Sequence, residues 1–464
     1  MSLTFDSLLI ANRGEIAVRV IRAARELGIR TIAVHSEADK ASLHVKLADE
    51  AVNIGPHQAA KSYLNVDAIL GAAKATGAQA IHPGYGFLSE NASFADTVRA
   101  AGMAFVGPSG DAIRSMGDKA SARQAAMNAG VPVVPGSDGL VHDLDAAKRE
   151  AARIGYPVMI KATAGGGGRG IRVCADEAAL VQQFPMAQAE AQAAFGNGAA
   201  YLERFIGRAR HIEVQILGDG QRAVHLFERE CSLQRRRQKV WEEAPSPSLD
   251  EATRKALCES AVRLAEAVNY SGAGTLEYLY DDSTGEFFFI EMNTRIQVEH
   301  PITEAITGVD LIREMLLIAG GLPLRLVQSD ISIRGASIEV RLNAEDPSKN
   351  FFPKVGRVEE LVWPAGPGVR IDSMLYPGYD VSPYYDSMLA KLIVHAEDRP
   401  AAIARLSRAL DELKLNLTTT ASLHAALARD EQVRRADYHT GWLEPWLAEN
   451  GAKLSASPVE GAAS

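Results

Sequence analysis

The stretch Glu291-Met292-Asn293-Thr294-Arg295-Ile296-Gln297-Val298-Glu299-His300 decides how this chain is read. In an extended strand, successive side chains point to opposite faces. Glu291, Asn293, Arg295, Gln297 and Glu299 then share one side, and none is apolar. The strand enters through Phe287-Phe288-Phe289-Ile290, an aromatic run heading into a core, where carboxylates are rarely left unpaired. A solvated edge strand fits that entry poorly. Two acids, two amides and a guanidinium on one face point to a metal and anion site.

Glu277 lies upstream in Gly274-Thr275-Leu276-Glu277-Tyr278, with Asp281-Asp282-Ser283-Thr284-Gly285 as a turn between. A hairpin there sets Glu277 opposite Glu291. Two carboxylates and the Asn293 amide are hard oxygen ligands, suited to Mg²⁺ bridging nucleotide phosphates and not to zinc. The second signal is Ala164-Gly165-Gly166-Gly167-Gly168-Arg169-Gly170, between the strand Val158-Met159-Ile160-Lys161 and the strand Ile171-Arg172-Val173. Consecutive glycines let backbone N–H groups approach a phosphate, and Lys161 stands just before them. No Gly-Lys-Ser/Thr opens a helix after the run, so it is not a P-loop.

The 464 residues accommodate about three domains. A composition 47% hydrophobic and 23% charged is that of an ordinary globular protein. The net charge of −9 argues against nucleic acid as a general partner, and Arg235-Arg236-Arg237-Gln238-Lys239 suits a small polyanion better than a duplex. Cys174, Cys231 and Cys258 form no metal or disulfide pattern, so a cytoplasmic location is expected. No signal peptide or membrane-length apolar run is read, so no membrane association is expected.

Leu8-Leu9-Ile10-Ala11, a helix ending at Gly28, and Thr31-Ile32-Ala33-Val34 read as a βαβ unit. Residues 1–116 are expected to form a doubly wound α/β domain. The single glycine of Asn12-Arg13-Gly14 excludes a dinucleotide fingerprint. Ala80-Ile81 leads into the rigid loop His82-Pro83-Gly84-Tyr85-Gly86-Phe87-Leu88-Ser89-Glu90, at the strand end where α/β domains bind ligands. Residues 119–320 read as a second region, with a compact glycine- and alanine-rich segment at about 134–206. Residues 331–448 read as a C-terminal α/β domain, and 450–464 as a disordered tail.

Lys161, the glycine run, Glu277 and Glu291-x-Asn293 resemble the ATP-grasp superfamily. Ile10-Ala11-Asn12-Arg13-Gly14-Glu15, the His82–Asn91 loop, Met116-Gly117-Asp118-Lys119, Cys231-Ser232-Leu233-Gln234-Arg235-Arg236 and Glu291–Pro301 narrow the resemblance to the biotin carboxylase family. It spans residues 6 to 445. The family is an ATP-dependent ligase acting through carboxyphosphate, with ATP, Mg²⁺ (or Mn²⁺) and biotin on a separate carrier.

The resemblance implies roles for individual residues. Residues 119–320 are the ATP-grasp region, with 134–206 as its mobile lid. Lys119, Lys161 and Gly166, Gly167 and Gly168 hold ATP phosphates, Glu203 sits at the adenine hinge, and His211 and Gln234 line the nucleotide. Glu277, Glu291 and Asn293 hold the metal. Lys239, Arg295, Gln297 and the Val298 backbone cradle bicarbonate, Glu299 is the general base, and Arg341 and Tyr85 face biotin. With no Met-Lys-Met triplet, the chain resembles the free-standing subunit, a homodimer partnered by a biotin carboxyl carrier protein and carboxyltransferase subunits. The acceptor is expected to be an acyl-CoA. Urea, pyruvate and other acids stay open.

Some positions depart from the family pattern. Arg237 stands where histidine is usual, Trp241 where a small aliphatic is usual, and Pro367 replaces an aromatic of the dimer contact, although Arg22, Glu26 and Arg370 remain. Leu417-Thr418-Thr419-Thr420-Ala421 replaces the usual Gly-x-x-Thr-Asn. Two other readings compete: a different ATP-grasp ligase joining a carboxylate to an amine, and a catalytically silent nucleotide-binding subunit. Gln297-Val298-Glu299-His300 with Arg341 argues against the first, and the intact acid and base set against the second.

Overall fold

A computed structural model describes residues 3–162, 171–195 and 200–454. The Leu8-Leu9-Ile10 run is buried throughout, as a strand covered on both faces requires, and forms β1 (Ser7–Ile10). It pairs in parallel within a sheet containing β2 (Arg30–His35), β3 (Glu50–Asn53), β4 (Ala80–His82) and β5 (Ala104–Phe105). The order is β3-β2-β1-β4-β5. Helix α1 (Gly14–Glu26) follows β1, and Gly28 ends the connection at φ +72°, a conformation glycine adopts without steric cost.

Strand order reverses between β1 and β4, so their carboxyl ends open the crevice in which such sheets bind ligands. Two loops meet there. The Asn12 amide donates to the carbonyl of Pro83 at 2.7 Å and to that of Tyr85 at 2.8 Å. Gly84, at φ +63°, passes so close to Asn12 that an added Cβ would lie 2.7 Å from the amide nitrogen.

The chain divides into two compact units. The smaller, Pro132–Ala209 with Tyr280–Ile290, holds β6 (Val158–Ala162), β7 (Ile171–Cys174) and β8 (Ala200–Arg204) as an antiparallel sheet ordered β7-β6-β8. The segment expected to act as a lid lies within this unit.

The larger unit carries most of a second sheet, of eight strands. Its members include β9 (Ala209–Asp219), β10 (Ala223–Arg235), β11 (Gln238–Ala244), β12 (Ser271–Asp281), β13 (Phe287–Asn293) and β14 (Ala336–Asn343). With Met388–Ala396 and Val369–Ser373 the order is β13-β12-β9-β10-β11-β14, then Met388–Ala396, then Val369–Ser373. One face feeds an apolar core that includes Leu233, Trp241, Val340 and Leu392. The other presents ionic side chains, among them Glu213, Arg229, Glu242, Glu339 and Lys391, and these are also buried. Carrying charge on a buried face is affordable only if the charges are paired.

Two readings of the sequence are corrected. The strand through the Glu291 stretch ends at Asn293, and the helix His300–Thr307 begins after Glu299. Alternation therefore places Glu291 and Asn293 together, whereas Arg295, Gln297 and Glu299 reach their partners from a turn. Residues 450–454, expected to belong to a disordered tail, are ordered: Leu443–Asn450 is helical, Gly451–Lys453 is a 3₁₀ turn and Leu454 is buried. The rest of that expected tail, 455–464, lies outside the described residues. The three cysteines are free and buried.

Arg13, on the loop after β1, donates from Nε to Asp39 Oδ2 at 2.7 Å and from Nη2 to Oδ1 at 2.9 Å, and both residues are buried. Arg13→Ala leaves the Asp39 carboxylate buried without its counter-ion. It is expected to cost about 3–5 kcal/mol of unfolding free energy, read by chemical denaturation.

Candidate active site

Three alternate residues of β9 point toward the ionic face: His211, Glu213 and Gln215. Glu213 accepts from Arg229 Nε at 2.6 Å and from Lys239 Nζ. Lys239 also donates to Glu277 Oε1 at 3.0 Å and to Glu299 Oε1 at 2.6 Å. Its ammonium thus has one carboxylate for each of its three N–H donors.

These contacts set the protonation states. Burial disfavours the charged carboxylates, but Lys239 and Arg229 outweigh it at Glu213, and Lys239 and His211 outweigh it at Glu277, so both lie well below the usual range. Burial likewise opposes the imidazolium of His211. Glu277, 3.1 Å from Nε2, and Glu213 nevertheless lift its pKa to about 9.

Glu299 meets the site from the start of the helix His300–Thr307. Its second oxygen accepts from Arg341 Nη2 at 3.1 Å. Burial and Glu213 raise its pKa, and Lys239, Arg341 and Arg229 overcome them, leaving it lowered. Arg341, on β14, is also held by Glu242, which accepts from Nε at 2.7 Å. Burial lifts Glu242 to about 7 despite that partner, and the charge on Glu299 adds to the lift.

Gln297 bridges two groups: Oε1 accepts from Arg229 at 2.9 Å and Nε2 donates to Glu277 at 3.0 Å. Asn293 Nδ2 donates to Glu277 at 2.9 Å, and its Oδ1 accepts from Arg295 Nη2 at 2.9 Å. Arg295 is further held by Glu90, 2.9 Å from Nε. The Val298 carbonyl accepts from Lys391 at 2.8 Å. Tyr85 donates to Glu15.

The structure brings His211, Lys239, Glu277, Asn293, Arg295, Gln297, Val298, Glu299 and Arg341 into one connected network. Glu291 is tied to it by charge: burial and then Glu277 raise its pKa, and Lys119 opposes them. Lys119 is exposed at the start of the helix Lys119–Asn128. Gln234 turns back on its own strand, donating to the Cys231 carbonyl at 2.8 Å. In the smaller unit, Lys161 on β6 pairs with Glu203 on β8. Gly166, Gly167 and Gly168 lie outside the described residues.

The mutual repulsion of Glu277 and Glu291 is what a divalent cation would relieve, and with Asn293 they form an oxygen donor set appropriate to Mg²⁺. Two other groupings, His211–Glu213–Glu277 and Glu213–Cys231–Glu299, bring their ligand atoms within 4.8 Å of one another. Lys239 already bonds Glu213, Glu277 and Glu299, so its ammonium neutralises the acids of both.

Sequence reasoning missed Glu213, Arg229, Glu242, Glu90 and Lys391. The polar alternation His211-x-Glu213-x-Gln215 was a usable signal for the first. Arg237 lies exposed in the turn between β10 and β11, with φ +65°, and Trp241 is buried in the apolar core.

Family models match three consecutive segments: the biotin carboxylase N-terminal domain over residues 4–113, the carbamoyl-phosphate synthase L chain ATP binding domain over 118–327, and the biotin carboxylase C-terminal domain over 339–445. The chain belongs to the biotin carboxylase family. It is 52% identical over 441 residues to biotin carboxylase 1 of Bacillus subtilis, covering 95% of this chain and 98% of that one. It is 54% identical over 411 residues to the mitochondrial propionyl-CoA carboxylase alpha chain of Mus musculus, covering 88% of this chain and 57% of that one. The dimeric biotin carboxylase domain of Hydrogenobacter thermophilus 2-oxoglutarate carboxylase, solved with MgADP, ADP and bicarbonate, superposes with a TM-score of 0.85 at 46% identity, covering 98% and 100% of the two chains. The family is an ATP-dependent ligase of the ATP-grasp type. Among the described residues, no helix is long and apolar enough to cross a membrane.

His211 gives a direct check on the electrostatics. Its folded pKa exceeds the ordinary 6.5, so its pairing contributes stability that is complete below about pH 6.5 and lost as pH rises through about 9. In metal-free protein the His211 ring resonances are expected to titrate above pH 8, and Glu277→Gln to move that midpoint toward 6.5.

Proposed function

We propose that this chain carboxylates biotin on a carrier protein at the expense of ATP and bicarbonate, as the first half-reaction of a biotin-dependent carboxylase. The observation that carries the reading is the Glu299 carboxylate, buried and held ionised between Lys239 and Arg341. Bicarbonate is a poor nucleophile, so its proton must leave as it attacks the γ-phosphate. Glu299 is the base. Its pKa is lowered because two cations neutralise it. A bicarbonate anion engaging Lys239 draws on the same charge and raises the proton affinity of Glu299.

Lys239, Arg295, Gln297 and the Val298 backbone receive the bicarbonate. Arg295 and Lys239 offset the charge of one anion approaching another, where water is excluded and such interactions are strong. Lys119, Lys161, Glu203, His211 and Gln234 serve ATP, as do Gly166, Gly167 and Gly168, whose backbone N–H groups suit phosphate. Glu277, Glu291 and Asn293 hold Mg²⁺, which supplies Lewis-acid neutralisation of the phosphate oxygens. The intermediate is carboxyphosphate, which yields CO₂ and phosphate. Phosphate takes the biotin N–H proton, and the ureido enolate then forms beside Arg341, a cation that cannot lose its charge. The nitrogen of the enolate attacks the CO₂ to give carboxybiotin, with ADP and phosphate left over. Tyr85 lines the biotin side.

The proposed domains are 1–116, 119–320 with the lid at about 134–206, and 331–448. The proposed setting is cytoplasmic, with a carrier and a carboxyltransferase on other polypeptides. We also assign a homodimer, supported by the dimer of the solved relative and by Arg22 and Glu26, which are exposed on α1. Arg370 is already committed within the chain to Asp372 and Glu304. The proposed final acceptor is an acyl-CoA, supported by the propionyl-CoA carboxylase relative; the 2-oxoglutarate relative is the competing precedent.

The test is ATP hydrolysis by the purified chain with bicarbonate and free biotin supplied singly and together. Hydrolysis is expected to be slow with neither and fastest with both; indifference to bicarbonate or to biotin overturns the assignment. With labelled bicarbonate and a panel of acceptors, labelled carboxybiotin without labelled acceptor is expected. Co-purified transferase subunits should then label an acyl-CoA; a labelled 2-oxo acid instead would replace the acyl-CoA proposal.

Two substitutions separate the roles. Glu299→Gln is expected to keep ATP binding and lower turnover by about 10²-fold or more, as for loss of a general base. Arg341→Ala is expected to reduce biotin-dependent turnover more than biotin-independent ATP cleavage. Loss of ATP binding in both would move them out of these roles.

A further inference from the structure

Lys391 lies on the strand Met388–Ala396, directly across from Arg341 on β14, and is 0% exposed. An ammonium with no access to water must place three N–H donors on protein acceptors. It faces three: the Val298 carbonyl at 2.8 Å, Glu15 Oε1 at 3.3 Å and Asp372 Oδ2 at 3.9 Å. Glu15, in the first turn of α1, is buried too, and the same Oε1 accepts from the Tyr85 hydroxyl. A continuous chain of polar contacts therefore runs from Tyr85 through Glu15 and Lys391 to the peptide that joins Val298 to Glu299.

Stability alone does not call for this pair. A buried ion pair contributes little over a well-packed apolar pair of the same volume, whereas breaking one is costly. Asp372 does not require Lys391, because Arg370 already binds both of its oxygens, each at 2.7–2.9 Å. The distinctive property of Lys391–Glu15 is its position, with one end on the wall assigned to biotin and the other on the turn assigned to bicarbonate.

We propose that Lys391 and Glu15 are positioning residues for the reaction, fixing the Val298–Glu299 peptide and the Tyr85 hydroxyl relative to each other so that the two substrates are held in register. This rests on the biotin carboxylase reading above. Neither residue contacts a reacting atom. Lys391 pins the Val298 carbonyl, and with it the peptide plane that carries the Glu299 N–H. Glu15 gives the Tyr85 hydroxyl a fixed acceptor. Misplacement of a base or substrate by about 1 Å is enough to cost roughly 10²-fold in rate.

The experiment compares the wild type with Lys391→Met, Lys391→Arg, Glu15→Gln and the double variant Glu15→Gln/Lys391→Met. Thermal unfolding, bicarbonate-dependent ATP hydrolysis without biotin, and biotin-dependent turnover are measured on each. Lys391→Met alone leaves Glu15 charged and unpaired and is expected to unfold at lower temperature. The double variant removes both charges and is expected to recover the melting temperature. It should still show a raised KM for bicarbonate and a loss of about 10²-fold in kcat/KM for biotin. Lys391→Arg is expected to restore part of both kinetic constants, and Glu15→Gln to raise KM for biotin. A folded double variant with wild-type constants for both substrates reduces the pair to a structural role and overturns the proposal. Should the double variant not fold, a Glu15→Gln variant with wild-type constants for both biotin and bicarbonate overturns it. A wild type indifferent to biotin and bicarbonate would fail the underlying reading instead, and is seen before any variant is made.

Discussion

Arg229 has five N–H donors, no exposure to water, and five acceptors. Nε donates to Glu213, Nη1 to Gln215 and Thr303, and Nη2 to Thr275 and Gln297. A guanidinium cannot shed its proton, so burying it obliges the surroundings to complete that set. Once complete, the set fixes three strands, one turn and one helix of the site. Glu213 on β9 is oriented to receive Lys239, and Gln297 is oriented to present its amide to Glu277. Thr303 ties in the helix that begins after Glu299. The geometry of the network around Glu277 and Glu299 is thus inherited from one side chain that belongs to neither substrate's expected contacts.

From Arg229 the same logic spreads across the sheet. Lys239 answers Glu213, Glu277 and Glu299, while Arg341 answers Glu242 and Glu299. Where negative charge outruns the cations, the layer relieves it by holding a proton. Glu242 is lifted to about 7. Glu339, its cross-strand neighbour, is pushed well up by burial despite Lys391, and neither of its oxygens has a hydrogen-bond partner. Glu291 is raised in the same manner, by burial and then by Glu277, but it is the less buried member of its pair. Glu242 and Glu339 are buried away from water, whereas Glu291 is partly exposed.

Much of this was legible in the sequence because the family's signatures are long and local. The Asn12–Glu15 turn, the His82–Glu90 loop and the Glu291–Glu299 segment each place within a few residues several side chains that the structure ties together by polar contacts. The βαβ reading of β1, α1 and β2 held because apolar runs, Gly28 and the loop glycines all agree on it. Periodicity failed past Asn293, where a turn and not a pleat aims Arg295, Gln297 and Glu299. It also gave no hint of the support beneath the site. Lys391 sits between Ala390 and Leu392, Arg229 between Glu228 and Glu230, and Glu242 beside Glu243, so the local sequence does not separate these charges from their neighbours. Only the register of strands far apart in sequence shows which charges face one another.

The clearest case of that register dependence is β11. In a regular strand Lys239 and Trp241 would share a face. Pairing with β10 shifts between Leu233 and Gln234: Gln234 opposes Lys239 whereas Leu233 opposes Trp241, so Val240 is the extra residue of a bulge. The bulge sends Lys239 to the carboxylates and Trp241 to the apolar core, and one short strand serves both faces. The preceding turn holds that register in place. Arg236 and Arg237 occupy it with φ of +48° and +65°, the two-residue left-handed turn that matches strand twist but favours asparagine and glycine. Two arginines there carry backbone strain. A slip by one residue would relieve the turn, but it would turn Lys239 away from Glu213, Glu277 and Glu299 and drive an indole into the ionic layer. The unpaired carboxylates cost far more than the turn, and so the strained hairpin persists.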